Sequence, residues 1–169
     1  MGMLHLITGD YITNSRGMDA IVNSQNKYMI SGSGICGAIY KAAGSKLSEY
    51  CQHHYKEHMS IGEVRITPGF DLKADIIHIL VPKYYEERDL LDKLFSCYKN
   101  LLLSIKDKGY KKILIPSLGT GVYGYKHEEV AGPLIKLLTE FCQHNDVEIY
   151  LNNRLEEQTN IYLKYYKHQ

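Results

Sequence analysis

The chain has 169 residues, enough for one domain with a sizeable core, and its 44% hydrophobic and 23% charged residues read as a soluble globular protein. A net charge of +1 supplies no broad electrostatic hold on nucleic acid, so an anionic ligand would have to be gripped locally, largely by amide dipoles. The start, Met1 to Asp10, lacks the basic region and apolar run of a signal peptide and the Ser/Thr of a myristoylation signal, and no apolar run is long enough to cross a bilayer. Cys36, Cys51, Cys97 and Cys142 form no C-x-x-C pair and read as reduced thiols of a cytoplasmic protein.

In chain order, Leu4 to Thr8 predicts a short strand ending at Gly9-Asp10, and Asp19 to Asn23 a second. Ile35, Ile39, Ala42, Ala43 and Leu47 recur at helical spacing, and His53 to His58 also reads as helix. Glu63 to Thr67 and Asp75 to Val81 predict strands. Leu91, Leu94, Phe95, Tyr98, Leu102 and Ile105 mark one face of a long helix stopped near Gly109. Lys112 to Pro116 is an apolar run suited to a buried parallel strand. Val130, Leu134, Ile135, Leu138 and Phe141 predict a helix that Gly132-Pro133 starts or kinks. Val147 to Leu151 is the last strand, followed by a closing helix through Leu155, Gln158, Tyr162 and Tyr165, with a tail from Lys164 expected to fray. Strands alternating with helices predict an α/β/α sandwich on a largely parallel sheet, without linkers, in which the loops after the strands gather at one edge.

Two loops read Gly-x-Gly-x-x-Gly: Gly32-Ser33-Gly34-Ile35-Cys36-Gly37 and Gly119-Thr120-Gly121-Val122-Tyr123-Gly124. Glycine lets backbone N–H groups wrap phosphate oxygens, and two such loops in one small domain suggest two cradles on one elongated anion. Neither has the Gly-Lys-Ser/Thr of a nucleoside triphosphate loop. A Rossmann fingerprint wants its glycines after the first strand and an acid at the end of the second. Here the first glycine loop follows two strands, and the acid at the right distance, Glu57, falls in a helical stretch.

Taken in order, Gly9-Asp-Tyr-Ile-Thr13, Val22-Asn-Ser-Gln-Asn26, Ser31-Gly-Ser-Gly-Ile-Cys-Gly-Ala-Ile39, Asp75-Ile-Ile-His-Ile-Leu-Val-Pro82 and Pro116-Ser-Leu-Gly-Thr-Gly-Val-Tyr-Gly-Tyr125 resemble the macrodomain family of ADP-ribose-binding modules, from about Met3 to about Tyr162. The resemblance implies a single macrodomain over 1–169, with a mixed, largely parallel sheet of six to seven strands. It implies that Asp10 accepts a hydrogen bond from the adenine amino group while the N–H groups of Tyr11 and Ile12 read the ring edge. Ser31, Gly32, Ser33, Gly34, Ile35, Cys36 and Gly37 would hold the pyrophosphate at a helix N-terminus. Pro116, Ser117, Leu118, Gly119, Thr120, Gly121, Val122 and Tyr123 would form the opposite wall, with Tyr123 against the distal ribose. Asn26 offers a donor and an acceptor to that ribose, and Asn23 braces the loop. No cofactor and no metal is implied; the partners are ADP-ribose, an ADP-ribosylated protein or O-acetyl-ADP-ribose, and a monomer is the default.

Macrodomains of this type either read ADP-ribose or hydrolyse its esters with a positioned water. In one hydrolytic branch an Asp in the first glycine loop helps activate the water, and here that position is Cys36, a weak candidate because a free thiol is largely protonated at neutral pH. Ser31 stands where the family usually has Gly. Taken alone, Asp10 reads as a turn residue, Asn26 as a loop brace and Tyr123 as one of 15 tyrosines in a core. Cys51, His54 and His58 fall near one predicted helix face, but the polar setting favours a solvated surface over a metal site. His78 reads as a satisfied core histidine, Tyr84 to Arg88 as a solvated loop or helix start, and the Tyr/Lys tail as no dedicated nucleic-acid surface.

Overall fold

The computed structural model describes residues 1–84 and 89–166. Six strands form one sheet, β1 (Met3–Thr8), β2 (Ala20–Ser24), β3 (Val64–Thr67), β4 (Asp75–Ile79), β5 (Lys112–Pro116) and β6 (Glu148–Asn153). Their order is β1-β6-β5-β2-β4-β3. The first five in that order run parallel, and only β3 pairs antiparallel, with β4. The helices are α1 (Tyr11–Asn14), α2 (Gly34–Ala43), α3 (Ser45–His54), α4 (Leu90–Lys108), α5 (His127–His144) and α6 (Glu156–Tyr166), with one 3₁₀ turn at Phe70–Leu72.

The sheet is buried on both faces, as its runs of apolar residues require. On one face Val22, Ile77, Ile79, Ile113, Ile115, Ile149 and Leu151 pack with Leu94, Tyr98, Leu101 and Ile105 of α4, Leu134 and Leu138 of α5 and Tyr162 of α6. On the other, Ile21, Ile76 and Leu114 pack with Tyr11, with Ile39, Tyr40 and Ala43 of α2, and with Leu47 and Cys51 of α3. These two cores make the three layers. Because five strands point the same way, the loops after β1, β2, β4, β5 and β6 all leave from one edge.

Several expected elements differ in detail. The helical periodicity from Ile35 to Leu47 spans two helices, broken at Gly44, where φ is +89° and a Cβ would lie 2.9 Å from Asp71 Oδ2. Helix α3 ends at His54, so Tyr55 to His58 are not helical. Helix α5 begins at His127 and runs through Pro133 rather than starting there. Gly132 is used for close approach to α6, since a Cβ would meet the Tyr165 ring at 3.0 Å. Lys164 to Tyr166, expected to fray, form the last turn of α6, and the Tyr166 hydroxyl donates to the Leu4 carbonyl at 2.7 Å. Residues 167–169 of that tail, and all of Tyr84 to Arg88 except Tyr84, lie outside the described residues. Among the described residues no helix is long and apolar enough to cross a membrane.

Candidate functional site

The loop after β1 carries Asp10 as the N-cap of α1. Its Oδ2 accepts from the Thr13 N–H at 2.9 Å and the Thr13 hydroxyl at 3.0 Å, while no described group bonds Oδ1. These bonds, aided by the positive Arg154 nearby, hold the carboxyl below its ordinary pKa, so it is ionised at neutral pH. Arg154 is near because β1 and β6 are in register at Thr8 and Asn153. The Tyr11 side chain points away from this edge. Its buried hydroxyl donates toward the carbonyls of Val22 (2.6 Å) and Leu114 (3.0 Å), tying the loop to β2 and β5. Only the Tyr11 backbone is left for a ligand. With Ile12 it lies in the first turn of α1, where N–H groups lack an intrahelical partner.

The loop after β2 leads into α2. Ser33 is the N-cap but makes no side-chain capping bond, and the N–H groups of Gly34, Ile35 and Cys36 donate to no described protein group. The glycines divide by task. Gly34 has φ +57° and open space where a Cβ would be. Gly37 has no such freedom, because a Cβ there would lie 2.4 Å from the Gly32 carbonyl oxygen. Gly32 faces the Asn26 amide nitrogen and the Cys36 sulfur, 3.3 and 3.6 Å from its would-be Cβ. Asn26, Gly32 and Cys36 therefore converge, with Ser31 and Ser33 exposed beside them.

Asn26 is more committed than its residue type suggests. Its Oδ1 accepts from the N–H groups of Tyr28 (3.1 Å) and Ile30 (3.3 Å), and its Nδ2 donates to the Ile30 carbonyl at 2.8 Å. The loop thus occupies the acceptor and one amide hydrogen, leaving one N–H. Cys36 is buried, and burial pushes its thiol pKa up, only partly opposed by donors from Asn23, Gly32 and Asn26. It is a neutral thiol at neutral pH and lacks the character of a base. Asn23 is fully buried behind the loop. Its Nδ2 lies 3.0 Å from Gln25 Oε1 and 3.1 Å from His78 Nδ1, and its Oδ1 has no hydrogen-bond partner among the described residues. It braces the loop from inside and does not line the crevice.

The loop after β5 forms the second wall. Pro116 ends the strand, and the Ser117 hydroxyl is buried, donating to Asn153 Oδ1 at 2.9 Å. Leu118 is buried and its N–H donates to the Tyr98 hydroxyl at 2.7 Å. Thr120 is turned onto the Ser117 carbonyl at 2.7 Å. Gly119, at φ +81°, packs against Tyr125, whose ring a Cβ would meet at 2.4 Å. Gly121 has open space at its would-be Cβ, and the N–H groups of Gly119, Gly121 and Val122 make no described bond. Val122 is 75% exposed. Tyr123 is half-buried against the larger core; its carbonyl accepts from Tyr84 N–H at 3.1 Å and Lys83 Nζ lies 5.8 Å from its ring centroid. Spare amides thus stand on loops from neighbouring strands β2 and β5, with the Asp10 carboxylate on the same edge.

The other sequence candidates lie away from this edge or are occupied. His54 stacks on Tyr50 with centroids 3.8 Å apart, whereas His58, beyond the end of α3, meets the Tyr28 ring edge at 4.8 Å. With Cys51 buried, these three residues do not share a helix face. His78 is buried and held neutral, its pKa pushed down to about 3 by burial. A cavity of about 560 Å³ opens beside Tyr55, Glu63, Arg65 and Ser104, but its Arg65 is paired with Glu63 at 2.6 Å and lies over the Tyr55 ring at 4.7 Å. Sequence reading missed Gln25, Tyr40 and Thr67, of which Tyr40 bonds Gln25 directly and Thr67 is linked to it through His78. The signal available was the placement of polar residues next to apolar strand positions.

A three-layer α/β/α protein with two glycine loops and a carboxylate at one end of a mixed six-stranded sheet has the architecture of a macrodomain. The Macro domain family model matches residues 22–133, and the chain belongs to that family. It is 33% identical over 159 residues to an O-acetyl-ADP-ribose deacetylase of Klebsiella pneumoniae, an alignment covering 91% of this chain and 90% of the relative. A macro domain-containing protein of Methanosarcina mazei is 37% identical over 132 residues, covering 77% of this chain and 70% of the relative. Among solved structures, the Oceanobacillus iheyensis macrodomain with ADP superposes with a TM-score of 0.89 at 34% identity, covering 98% of this chain and 90% of that one. The Trypanosoma brucei macrodomain in complex with ADP-ribose superposes with a TM-score of 0.81 at 28% identity, covering 95% and 68%.

Proposed function

We propose that this protein binds ADP-ribose across the loops after β1, β2 and β5 and hydrolyses ADP-ribosyl esters. The observation that carries the binding is the set of unengaged amides on both glycine loops at the same sheet edge as ionised Asp10. Amides of Gly34, Ile35 and Cys36 at the start of α2 and of Gly119, Gly121 and Val122 opposite match two phosphates of one diphosphate. Asp10 Oδ1 takes the adenine amino group, and the distal ribose falls toward Asn26, Gly32 and Tyr123.

For an ester on an acidic side chain, a water oxygen adds to the anomeric carbon of the distal ribose. The bond from that carbon to the ester oxygen breaks, the side chain leaves as a carboxylate, and the water's proton passes to a substrate phosphate oxygen. O-acetyl-ADP-ribose would bring its acetyl ester to the same water. The deacetylase named among the relatives supports this reading. The free thiols and the small net charge of +1 fit a cytoplasmic monomer acting on ADP-ribosylated protein or on the free ester.

One observation favours a non-catalytic reader instead: the neutral Cys36 thiol and the loop-bound Asn26 leave no base at the ribose among the described residues. Single-turnover assays at high enzyme concentration, on a protein mono-ADP-ribosylated at Glu and on O-acetyl-ADP-ribose, separate the two. Release from either supports the hydrolase, and tight binding without release supports the reader. Asn26→Ala should lower turnover by about 100-fold, the effect of misplacing a reacting group, while ADP affinity changes less than about threefold. Loss of both together would remove Asn26 from its assigned place. Cys36→Ala should keep turnover within about threefold, whereas a 10²–10⁴-fold loss, the usual contribution of a general base, would make the thiol catalytic.

A further inference from the structure

A chain of buried polar groups runs behind the crevice. Thr67 on β3 bonds His78 Nε2 at 2.9 Å, and His78 Nδ1 lies 2.9 Å from Gln25 Oε1. Tyr40 of α2 donates to the same Gln25 oxygen at 2.8 Å, and Asn23 Nδ2 reaches it at 3.0 Å. On its other side Gln25 Nε2 donates to the Ile30 carbonyl at 2.8 Å. All of these side chains are at most 5% exposed. Burying so many polar groups is unfavourable unless they are bonded, and here all but Asn23 Oδ1 are bonded, with the bonds converging on one amide. His78 Nδ1 thus stands between the Gln25 oxygen and the Asn23 amide nitrogen at 3.1 Å, while its Nε2 is bonded to the Thr67 hydroxyl.

The far end of the chain is a loop in an unusual conformation. Met29 is buried at φ +57°, a left-handed backbone that non-glycine residues rarely adopt, and Ile30 turns its side chain outward, 48% exposed, while its carbonyl points in to Gln25. The same carbonyl accepts from Asn26 Nδ2. Only a side chain with an acceptor at one corner and a donor at the other can join the Tyr40 and Asn23 donors to that carbonyl. Leucine offers neither, and a carboxylate would set a lone pair against the Ile30 oxygen.

We propose that Gln25 is a positioning residue, held by His78, Tyr40 and Thr67, that fixes the 26–31 loop and with it the place of Asn26 where the distal ribose binds. This rests on the ADP-ribose reading above. It predicts an effect confined to the part of the ligand that ADP lacks. By calorimetry, Gln25→Leu should weaken ADP-ribose at least about tenfold and leave ADP within about twofold. Tyr40→Phe removes a single donor to Gln25 and should shift ADP-ribose affinity in the same direction by a smaller factor. Hydrogen exchange at the Tyr28 and Ile30 amides should accelerate in both variants while exchange in β2 and β5 is unchanged. Equal losses for ADP and ADP-ribose, or no change in either, would overturn the assignment. If the wild-type protein bound neither ligand, the ADP-ribose reading would fail. The exchange measurement would still decide the clamp, since unchanged protection of Tyr28 and Ile30 in Gln25→Leu and Tyr40→Phe would remove it.

Discussion

Asp10→Asn is expected to weaken ADP-ribose by about 10- to 100-fold, the loss of a hydrogen bond to a charged acceptor, and to leave ribose 5-phosphate unchanged. Asparagine can still cap α1, because its oxygen can accept from the Thr13 N–H and hydroxyl as Oδ2 does now. What it cannot do is present a second acceptor in the place of Oδ1, which no described group bonds. An amide NH₂ there meets the adenine amino group donor to donor. The comparison isolates base reading from folding, since the cap is kept, and from phosphate binding, since ribose 5-phosphate carries no purine. Titration of both ligands into the variant checks it. Equal losses for the two would mean that the carboxylate does not read the base.

The second large effect separates glycines that look alike in the motif. Gly37→Ala should destabilise the protein by about 1–3 kcal/mol, toward the upper end because the obstacle is a backbone carbonyl that cannot rotate away. A Cβ there would sit 2.4 Å from the Gly32 oxygen, so α2 and the loop entering it must part. For a chain of this length that corresponds to a fall in Tm on the order of 5–10 °C. Gly121→Ala should leave Tm within about 1 °C, because its Cβ meets nothing within 4 Å and its φ is not positive. The same variant should weaken ADP-ribose about tenfold by holding a phosphate off the amides of the β5 loop. Thermal melts and ligand titrations on the two variants check the pair. A stable Gly37→Ala protein, or a Gly121→Ala protein with full affinity, would show that the glycines had been assigned the wrong tasks.

That division also marks where sequence reading stops. The spacing Gly-x-Gly-x-x-Gly identifies two tight loops but not which glycines face a ligand and which admit neighbouring backbone or ring. Gly34 and Gly121 stand open, whereas Gly37 and Gly119 are packed, and the difference lies in how each loop folds back on itself, the Gly32 carbonyl against Gly37 and the Tyr125 ring against Gly119. The sheet was legible because its strands are continuous apolar runs, and its parallel sense followed from the alternation with helices. The antiparallel β3 was not, since Val64 to Thr67 carries no mark of direction. The one-turn helix α1 was hidden by its brevity, although Asp10 followed by Thr13 is a capping pattern. The break between α2 and α3 was masked because Ile39, Ala43 and Leu47 keep helical spacing across Gly44.

Among the site residues, Asp10 could be singled out only by its place in the ordered motifs, since taken alone it reads as a turn residue. The state of Asn26 could not, because its partners are backbone groups of its own loop. Nor could the neutrality of Cys36, which depends on burial beneath that loop. Gln25 lay in the same motif as Asn23 and Asn26 yet drew no notice. Its partners His78 and Tyr40, and Thr67 behind His78, come from three other elements, and only the folded sheet brings them together.

The most direct test is a calorimetric titration of the wild-type protein with ADP-ribose, repeated in the presence of ADP, AMP and NAD. The account predicts saturation at about one equivalent, as for a single site, strong competition by ADP and weaker competition by AMP, which has only one phosphate for the paired amide walls. No binding of ADP-ribose, or AMP competing as well as ADP, would contradict it.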